Sequence, residues 1–261
     1  MPDESVQLIY IDPPFNTGRK QSRGKSTSVR SETGRVGFKG ARYDIVRDTV
    51  LSYDDDFADY WSFLEPRLEQ AWRLLNKTGT LYLHLDYREA HYAKVLLDAL
   101  FGRECFLNEL IWAYDYGAKA QGRWPAKHDT ILVYVKDPQS YYFNNAEVDR
   151  EPYMAPGLVT KEKAEKGKLP TDVWWHTIVS PTGKEKTGYP TQKPVGILRR
   201  IIQASSKKGD LVLDFFGGSG TTGAVAAELG RRFVLVDQNP EALEVMRKRF
   251  ADAGLDVEFR D

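Results

Sequence analysis

The chain has 261 residues, 41% of them hydrophobic and 28% charged, with 37 basic and 37 acidic side chains in balance. Such a composition suits one large α/β domain carrying an insertion, or two small domains, in an ordinary globular protein. No apolar run approaches the roughly 20 residues needed to span a bilayer, and no secretory leader is expected at the start. One cysteine, Cys105, excludes an internal disulfide and suits a reducing cytoplasm, and it reads as a buried structural thiol. The four histidines lack metal-ligand spacing, so no metal site is expected.

In chain order, "VQLIYID" (6–12) reads as a buried strand that stops on Asp12-Pro13-Pro14-Phe15. Two prolines remove two backbone donors and fix two φ angles, more rigidity than a turn needs. Residues 16–52 follow, with nine Lys/Arg against three acids, a local charge of +6 that leaves −6 on the rest of the chain. This stretch, rich in Gly, Ser and Thr, is expected to be a basic loop that contacts a polyanion. Apolar spacing predicts a helix over Phe57–Leu75, interrupted at Pro66, then a strand at 79–86 and a helix over Arg88–Leu100 stopped by Gly102. Strands are expected at 106–114 and 129–137. Between Tyr141 and Gly188 the pattern breaks into aromatics, prolines and lysines, where Trp174-Trp175-His176 is expected to pack against the body. It resumes with a helix at 194–205, a strand at 211–216, a helix at 221–229, a strand at 232–237, a helix at 240–251 and a strand "DVEFR" at 256–260. This alternation predicts a mostly parallel sheet with helices on both faces. The irregular stretch 115–190 reads as an inserted recognition region.

A second informative block is "VLDFFGGSGTTGAVAAELGRRFVLVD" (212–237). A strand ends at Asp214, a turn containing Gly217, Gly218, Ser219 and Gly220 follows, and a helix opens at Thr221-Thr222. Asp237 ends the next strand, where an acid can grip a ribose diol. The pattern predicts a nucleoside-bearing ligand at a helix N-terminus. Gly218-x-Gly220-x-x-Gly223 is equally the dinucleotide fingerprint. Two features favour S-adenosylmethionine over NAD: Asp214, able to receive a cationic amino group, and Asp12-Pro13-Pro14-Phe15, for which a dehydrogenase has no use.

Asp12-Pro13-Pro14-Phe15, Thr191-Gln192-Lys193-Pro194 and Asp214-Phe215-Phe216-Gly217-Gly218-Ser219-Gly220-Thr221-Thr222 together resemble the blocks of bacterial DNA amino-methyltransferases. The order, catalytic block first and cofactor block last, is similar to the β group. The resemblance spans nearly the whole chain, except 16–52 and parts of 115–188. It implies a Rossmann-like methyltransferase fold in circularly permuted order, cut between the usual third and fourth strands. Residues 1–114 would form the catalytic half, 115–190 the target-recognition region and 191–261 the cofactor half. The implied enzyme is cytoplasmic, associated with the nucleoid, a monomer or homodimer on duplex DNA, with a cognate restriction endonuclease left open as partner.

The implied reaction methylates an exocyclic amine of a flipped base, N6 of adenine favoured by the leading aspartate and N4 of cytosine the alternative. Asp12 and the Pro13 carbonyl, stiffened by Pro14, would hold the amine's two N–H bonds, and Phe15 would stack on the base. Asp12, Lys193, Asp214, Phe216, Gly217, Gly218, Ser219, Gly220, Thr221, Thr222, Asp237 and Asp261 would bind the cofactor, Lys193 and Asp261 on the resemblance alone. Arg19, Lys20, Arg23, Lys25, Lys119, Arg123 and Lys127 are the candidate DNA contacts. An NAD-dependent oxidoreductase, a non-catalytic DNA-binding module and a protein-glutamine methylating enzyme are the more distant alternatives.

Overall fold

The computed structural model describes residues 1–17, 21–36, 42–53, 60–117, 119–180 and 182–260. Its elements are β1 (Val6–Ile11), β2 (Gln21–Val36), β3 (Arg42–Tyr53), α1 (Tyr60–Leu74), β4 (Leu75–Leu85), α2 (Ala90–Phe101), β5 (Phe106–Ala113), β6 (His128–Val135), α3 (Lys161–Lys166), β7 (Val173–Trp175), α4 (Val195–Ser205), β8 (Leu211–Asp214), α5 (Thr221–Glu228), β9 (Arg232–Leu235) and α6 (Pro240–Asp252). Seven strands form one sheet in the order β7-β5-β6-β4-β1-β8-β9. Neighbours pair in parallel except on either side of β6, which runs antiparallel to both β4 and β5. The fold is thus the expected Rossmann-like α/β class, with β6 and β7 of the 115–190 stretch built into the same sheet.

β1 is continuously apolar because both of its faces are covered. Ile9 and Ile11 join Leu64 and Leu68 of α1 and Leu97 of α2 on one side. Leu8 and Tyr10 join Ile197 and Ile201 of α4 and Val225 of α5 on the other. All six residues of β1 are buried. The strand lies between β4, the next strand of this sheet along the chain, and β8, some 200 residues later, with Leu8 opposite Val212 and Ile9 opposite Leu213. Connections leave this point in opposite directions, toward β4 and toward β9, so a crevice opens outside the carboxyl ends of β1 and β8.

Three expectations are corrected. The basic stretch 16–52 is not simply a loop, for β2 and β3 form an antiparallel ribbon, with Ser28 opposite Ile45 and Gln21 opposite Tyr53. Its β-branched residues, Thr27, Val29, Ile45, Val46, Thr49 and Val50 among them, favour extended backbone, a signal masked by the charge and glycine content. Pro66 does not interrupt α1, which runs unbroken from Tyr60 to Leu74. Burial of Tyr60 and Leu64 before the proline, and of Leu68 and Ala71 after it, holds both halves on one core. Residues 256–260 form no strand. Leu255, Val257 and Phe259 pack instead on the cluster around Met246 and Phe250 of α6, with the Arg247 guanidinium 4.1 Å from the Phe259 ring centre. The alternation that suggested a strand therefore reflects one-sided burial without ladder bonds. Among the described residues, no helix is long and apolar enough to cross a membrane.

Candidate active site

β1 and β8 are parallel neighbours, so the residues that end them, Asp12 and Asp214, emerge at the same sheet edge. Both line one cavity of about 830 Å³. The cavity is completed by Tyr189, Lys193 and the segment Val236–Asn239, and by Phe63, Pro66, Arg67 and Gln70 of α1. Two sites some 200 residues apart in sequence are one site in space.

At the end of β1, Pro13 is buried and Asp12 is half-buried. Oδ2 of Asp12 is paired with the Lys193 ammonium. Oδ1 is buried and has no hydrogen-bond partner among the described residues. An acceptor left buried and unpaired costs roughly 1–3 kcal/mol. Asn16 takes a left-handed φ of 52°, tolerable for its short polar side chain, and its Nδ2 donates to Glu89 Oε1 at 2.9 Å, tying the turn to the start of α2.

Beneath the turn lies a buried polar relay absent from the sequence reading. His84 of β4 is fully buried. Its Nδ1 lies 2.8 Å from the Tyr10 hydroxyl and its Nε2 lies 3.2 Å from Asp129 Oδ2. Tyr114 donates to the other oxygen of Asp129 at 3.0 Å. Burial raises the Asp129 carboxyl, but His84, the Lys193 charge and the Tyr114 hydrogen bond together hold it below its ordinary range, while burial and nearby carboxylates push the Tyr10 phenol well up. With Asp129 as acceptor, Nε2 carries the proton and Nδ1 accepts from Tyr10, which locks the ring. The Phe15 ring rests on this imidazole, centres 5.9 Å apart. A lone histidine inside an apolar strand gives no sequence signal that its partners are Tyr10 and Asp129.

At the end of β8, Asp214 is buried and accepts from the Phe216 amide at 3.0 Å and from the Thr222 hydroxyl at 2.7 Å. Burial dominates these bonds, and with the charges of Asp12 and Asp237 it pushes the carboxyl up to about 7. Gly220, at φ 73°, is the left-handed residue that turns the chain into α5. Gly223 is required by packing, since a Cβ there would lie 2.8 Å from Leu235 Cδ1 and 2.9 Å from the Phe233 ring. Asp237 accepts from the Gly218 amide and the Asn239 amide, each at 2.8 Å. Burial raises its carboxyl, and each oxygen keeps a second lone pair for a ligand. Arg249 of α6 pins the turn from behind, donating to the Ser219 carbonyl at 3.0 Å and to Thr221 Oγ1 at 2.8 Å.

The third block is held by Gln192, whose Oε1 accepts from the Thr187 amide and hydroxyl, each at 2.8 Å, while Nε2 donates to the Glu185 carbonyl. Thr191 beside it takes φ 58°, a conformation strained for a β-branched residue, and lines the cavity.

Of the residues expected from sequence, Asp12, Pro14, Lys193, Asp214, Phe216, Gly217, Gly218, Ser219, Thr221, Thr222 and Asp237 line the cavity. Pro13, Phe15 and Gly220 are not among the residues that line it. Lys119 and Arg123 are exposed. Lys127 spends its donors on its own loop, on the carbonyls of Asp115 and Gly117. Of the Trp174-Trp175-His176 cluster, Trp174 packs inward as expected, whereas Trp175 is 70% exposed on the edge strand. Arg19, Lys20 and Asp261 lie outside the described residues, as do the side chains of Arg23 and Lys25.

Comparison with known proteins places this geometry. A family model described as DNA methylase, covering N6 and N4 methyltransferases, matches residues 6–248. The type II methyltransferase M.HpaI of Haemophilus parainfluenzae is 30% identical over 98% of this chain and 70% of its own length. The DNA adenine methyltransferase YhdJ of Escherichia coli K12 is 30% identical over 95% of this chain and 77% of its own. Among solved structures, the PvuII cytosine-N4-specific DNA methyltransferase superposes with a TM-score of 0.63 at 15% identity, covering 99% of this chain and 83% of that one. The complex of M1.HpyAVI with S-adenosylmethionine (SAM) gives 0.59 at 22% identity, covering 94% and 88%. With its Asp-Pro-Pro-Phe turn and its glycine turn opening onto one cavity, this chain belongs to the N6/N4 DNA methylase family.

Proposed function

We propose that this S-adenosylmethionine-dependent DNA amino-methyltransferase modifies the N6 amine of adenine in duplex DNA at a specific sequence. The observation that carries the reading is that Asp12, whose Oδ1 has no partner among the described residues, lines the same cavity as Asp214 and the glycine turn. N4 of cytosine is the second reading, favoured by the fold shared with the PvuII enzyme. Adenine is preferred for the leading aspartate and for the similarity to YhdJ, an adenine methyltransferase by name.

The residues present fit the cofactor. S-adenosylmethionine supplies an electrophilic methyl group on a sulfonium and also carries an ammonium. Asp214, raised to about 7 by burial beside two further carboxylates, gains from any cation that comes to rest against it. Asp237, whose two oxygens each keep a second lone pair, offers acceptors for a ribose diol.

Asp12 and the Pro13 carbonyl accept the two N–H bonds of the target amine and draw its nitrogen out of conjugation with the ring. Asp12 takes the proton that leaves once the new N–C bond forms. Phe15, backed by His84, stacks on the extruded base. The catalytic contribution is positioning and charge stabilisation, with no covalent enzyme intermediate. The basic β2–β3 ribbon contacts phosphates, and the segments of 115–190 outside the buried strand β6 read bases in the major groove. The motif order corresponds to a circular permutation, residues 1–114 and 191–261 being the two halves of the methyltransferase domain. The enzyme works at the nucleoid in the cytoplasm, as a monomer or homodimer, and a cognate restriction endonuclease is a natural partner for a type II-like enzyme.

The test is incubation with labelled cofactor and duplex DNA, followed by digestion and mass spectrometry of the nucleosides. N6-methyladenine is expected. N4-methylcytosine would transfer the assignment to the second reading, and label in protein but never in DNA would overturn both.

A further inference from the structure

Lys193 was expected to face the cofactor, yet its ammonium is directed at the catalytic turn. It pairs with Asp12 Oδ2 and lies 4.9 Å over the centre of the Phe15 ring. The Lys193 side chain is 10% exposed and that of Asp12 15%, so solvent screens the pair weakly. The lysine backbone is itself fixed, its carbonyl accepting from Thr221 Oγ1 at 3.2 Å at the start of α5. One residue therefore reaches from the glycine turn to the two side chains on which base chemistry depends.

We infer that Lys193 is a positioning residue for Asp12, engaging Oδ2 so that the carboxylate meets the target amine in a single orientation. This rests on the reading of Asp12 as the amine's acceptor. A carboxylate turns about its Cβ–Cγ bond, and two equivalent oxygens would offer the amine two geometries. The ammonium removes that freedom by engaging one oxygen, and Oδ1 is left buried without a partner among the described residues. The same cation over the Phe15 face restrains the ring through cation–π attraction. Lys193 thus acts through Asp12 and Phe15 and makes no required contact with cofactor or base.

The test compares Lys193→Met and Lys193→Arg with the parent enzyme on its mapped target duplex. Lys193→Met is expected to lower kcat about 30- to 100-fold, the scale of a misplaced reacting group, with KM for DNA within about threefold of the parent. Calorimetric affinity for S-adenosylmethionine should be unchanged within about threefold, and Lys193→Arg should recover most of the lost kcat. In an Asp12→Asn background, Lys193→Met should cost almost nothing further, because a residue acting through a carboxylate has no effect once that carboxylate is gone. Should Lys193→Met fail to fold, Lys193→Gln carries the same comparison. A tenfold or greater loss of cofactor affinity at unchanged kcat would overturn the inference in favour of a cofactor contact. Full activity in Asp12→Asn would remove the underlying reading instead, whereas a dead Asp12→Asn beside a fully active Lys193→Met would remove the inference alone.

Discussion

Asp214→Asn separates two demands on one side chain, folding and ligand binding. The carboxyl is buried and rises from 3.8 to about 7 on folding. At 1.36 kcal/mol per decade, holding it ionised above pH 7 costs the fold about 4 kcal/mol. The sign follows from a folded value above the unfolded one: the protonated form is favoured by folding, so stability is fully present below pH 3.8 and is lost as pH rises through 7. Asparagine is nearly isosteric and never ionises. Its Oδ1 can accept from the Phe216 amide, and the Thr222 hydroxyl can turn to accept from its NH2 group. Without cofactor, the variant should therefore be more stable than the parent by about 1–2 kcal/mol at pH 5 and by about 4 kcal/mol at pH 8, a gap near 10 °C in Tm at the higher pH. Cofactor affinity should fall by about 10- to 100-fold at pH 8, the value of a charge-assisted bond to a cation. Thermal unfolding from pH 5 to 8, with calorimetry in parallel, reads both quantities. A stability gap that does not grow with pH, or a variant less stable than the parent at pH 8, would refute the argument that burial sets this carboxyl.

Three further outcomes are expected. In the parent enzyme, S-adenosylmethionine affinity should weaken as pH falls below 7, approaching tenfold per pH unit, because the cation binds the ionised form of Asp214; calorimetry in buffers of different ionisation enthalpy should detect proton release on binding near pH 6.5. Replacing Asp12 by Ala should reduce turnover by about 10²–10⁴-fold with cofactor affinity largely retained, and steady-state kinetics near the parent's would dismiss it as the amine's acceptor. His84→Ala should destabilise the protein by about 3–5 kcal/mol in urea unfolding, because it empties a fully buried site and strands Tyr10 and Asp129 without their partner; a loss below 1 kcal/mol would mean the relay carries little of the fold.

Much of this protein was legible along the chain. The rigid turn after β1, the glycine turn after β8 and the alternation of strands with helices each rest on local rules, and short-range sterics and hydrogen bonding speak through adjacent residues. That Asp12 and Asp214 share a cavity could be argued from strand order, and the pairing of Leu8 with Val212 and Ile9 with Leu213 bears it out. Legibility failed wherever the deciding energy came from residues remote in sequence. Residues 256–260 have a strand's alternation but find apolar partners on α6 and no ladder. The basic stretch hid a ribbon whose pairing joins residues from 6 positions apart, Val36 and Arg42, to 32, Gln21 and Tyr53. His84 acquires its role from Tyr10, 74 positions away, and Asp129, 45 positions away. Lys193 meets Asp12 across 181 positions. Sequence by itself determined the chemical groups and the rigidity of the segments that carry them, because those are properties of neighbouring bonds. Only the tertiary structure decided which oxygen of Asp12 is engaged and what proton affinity Asp214 has, because burial and long-range charge exist only once the chain has closed on itself.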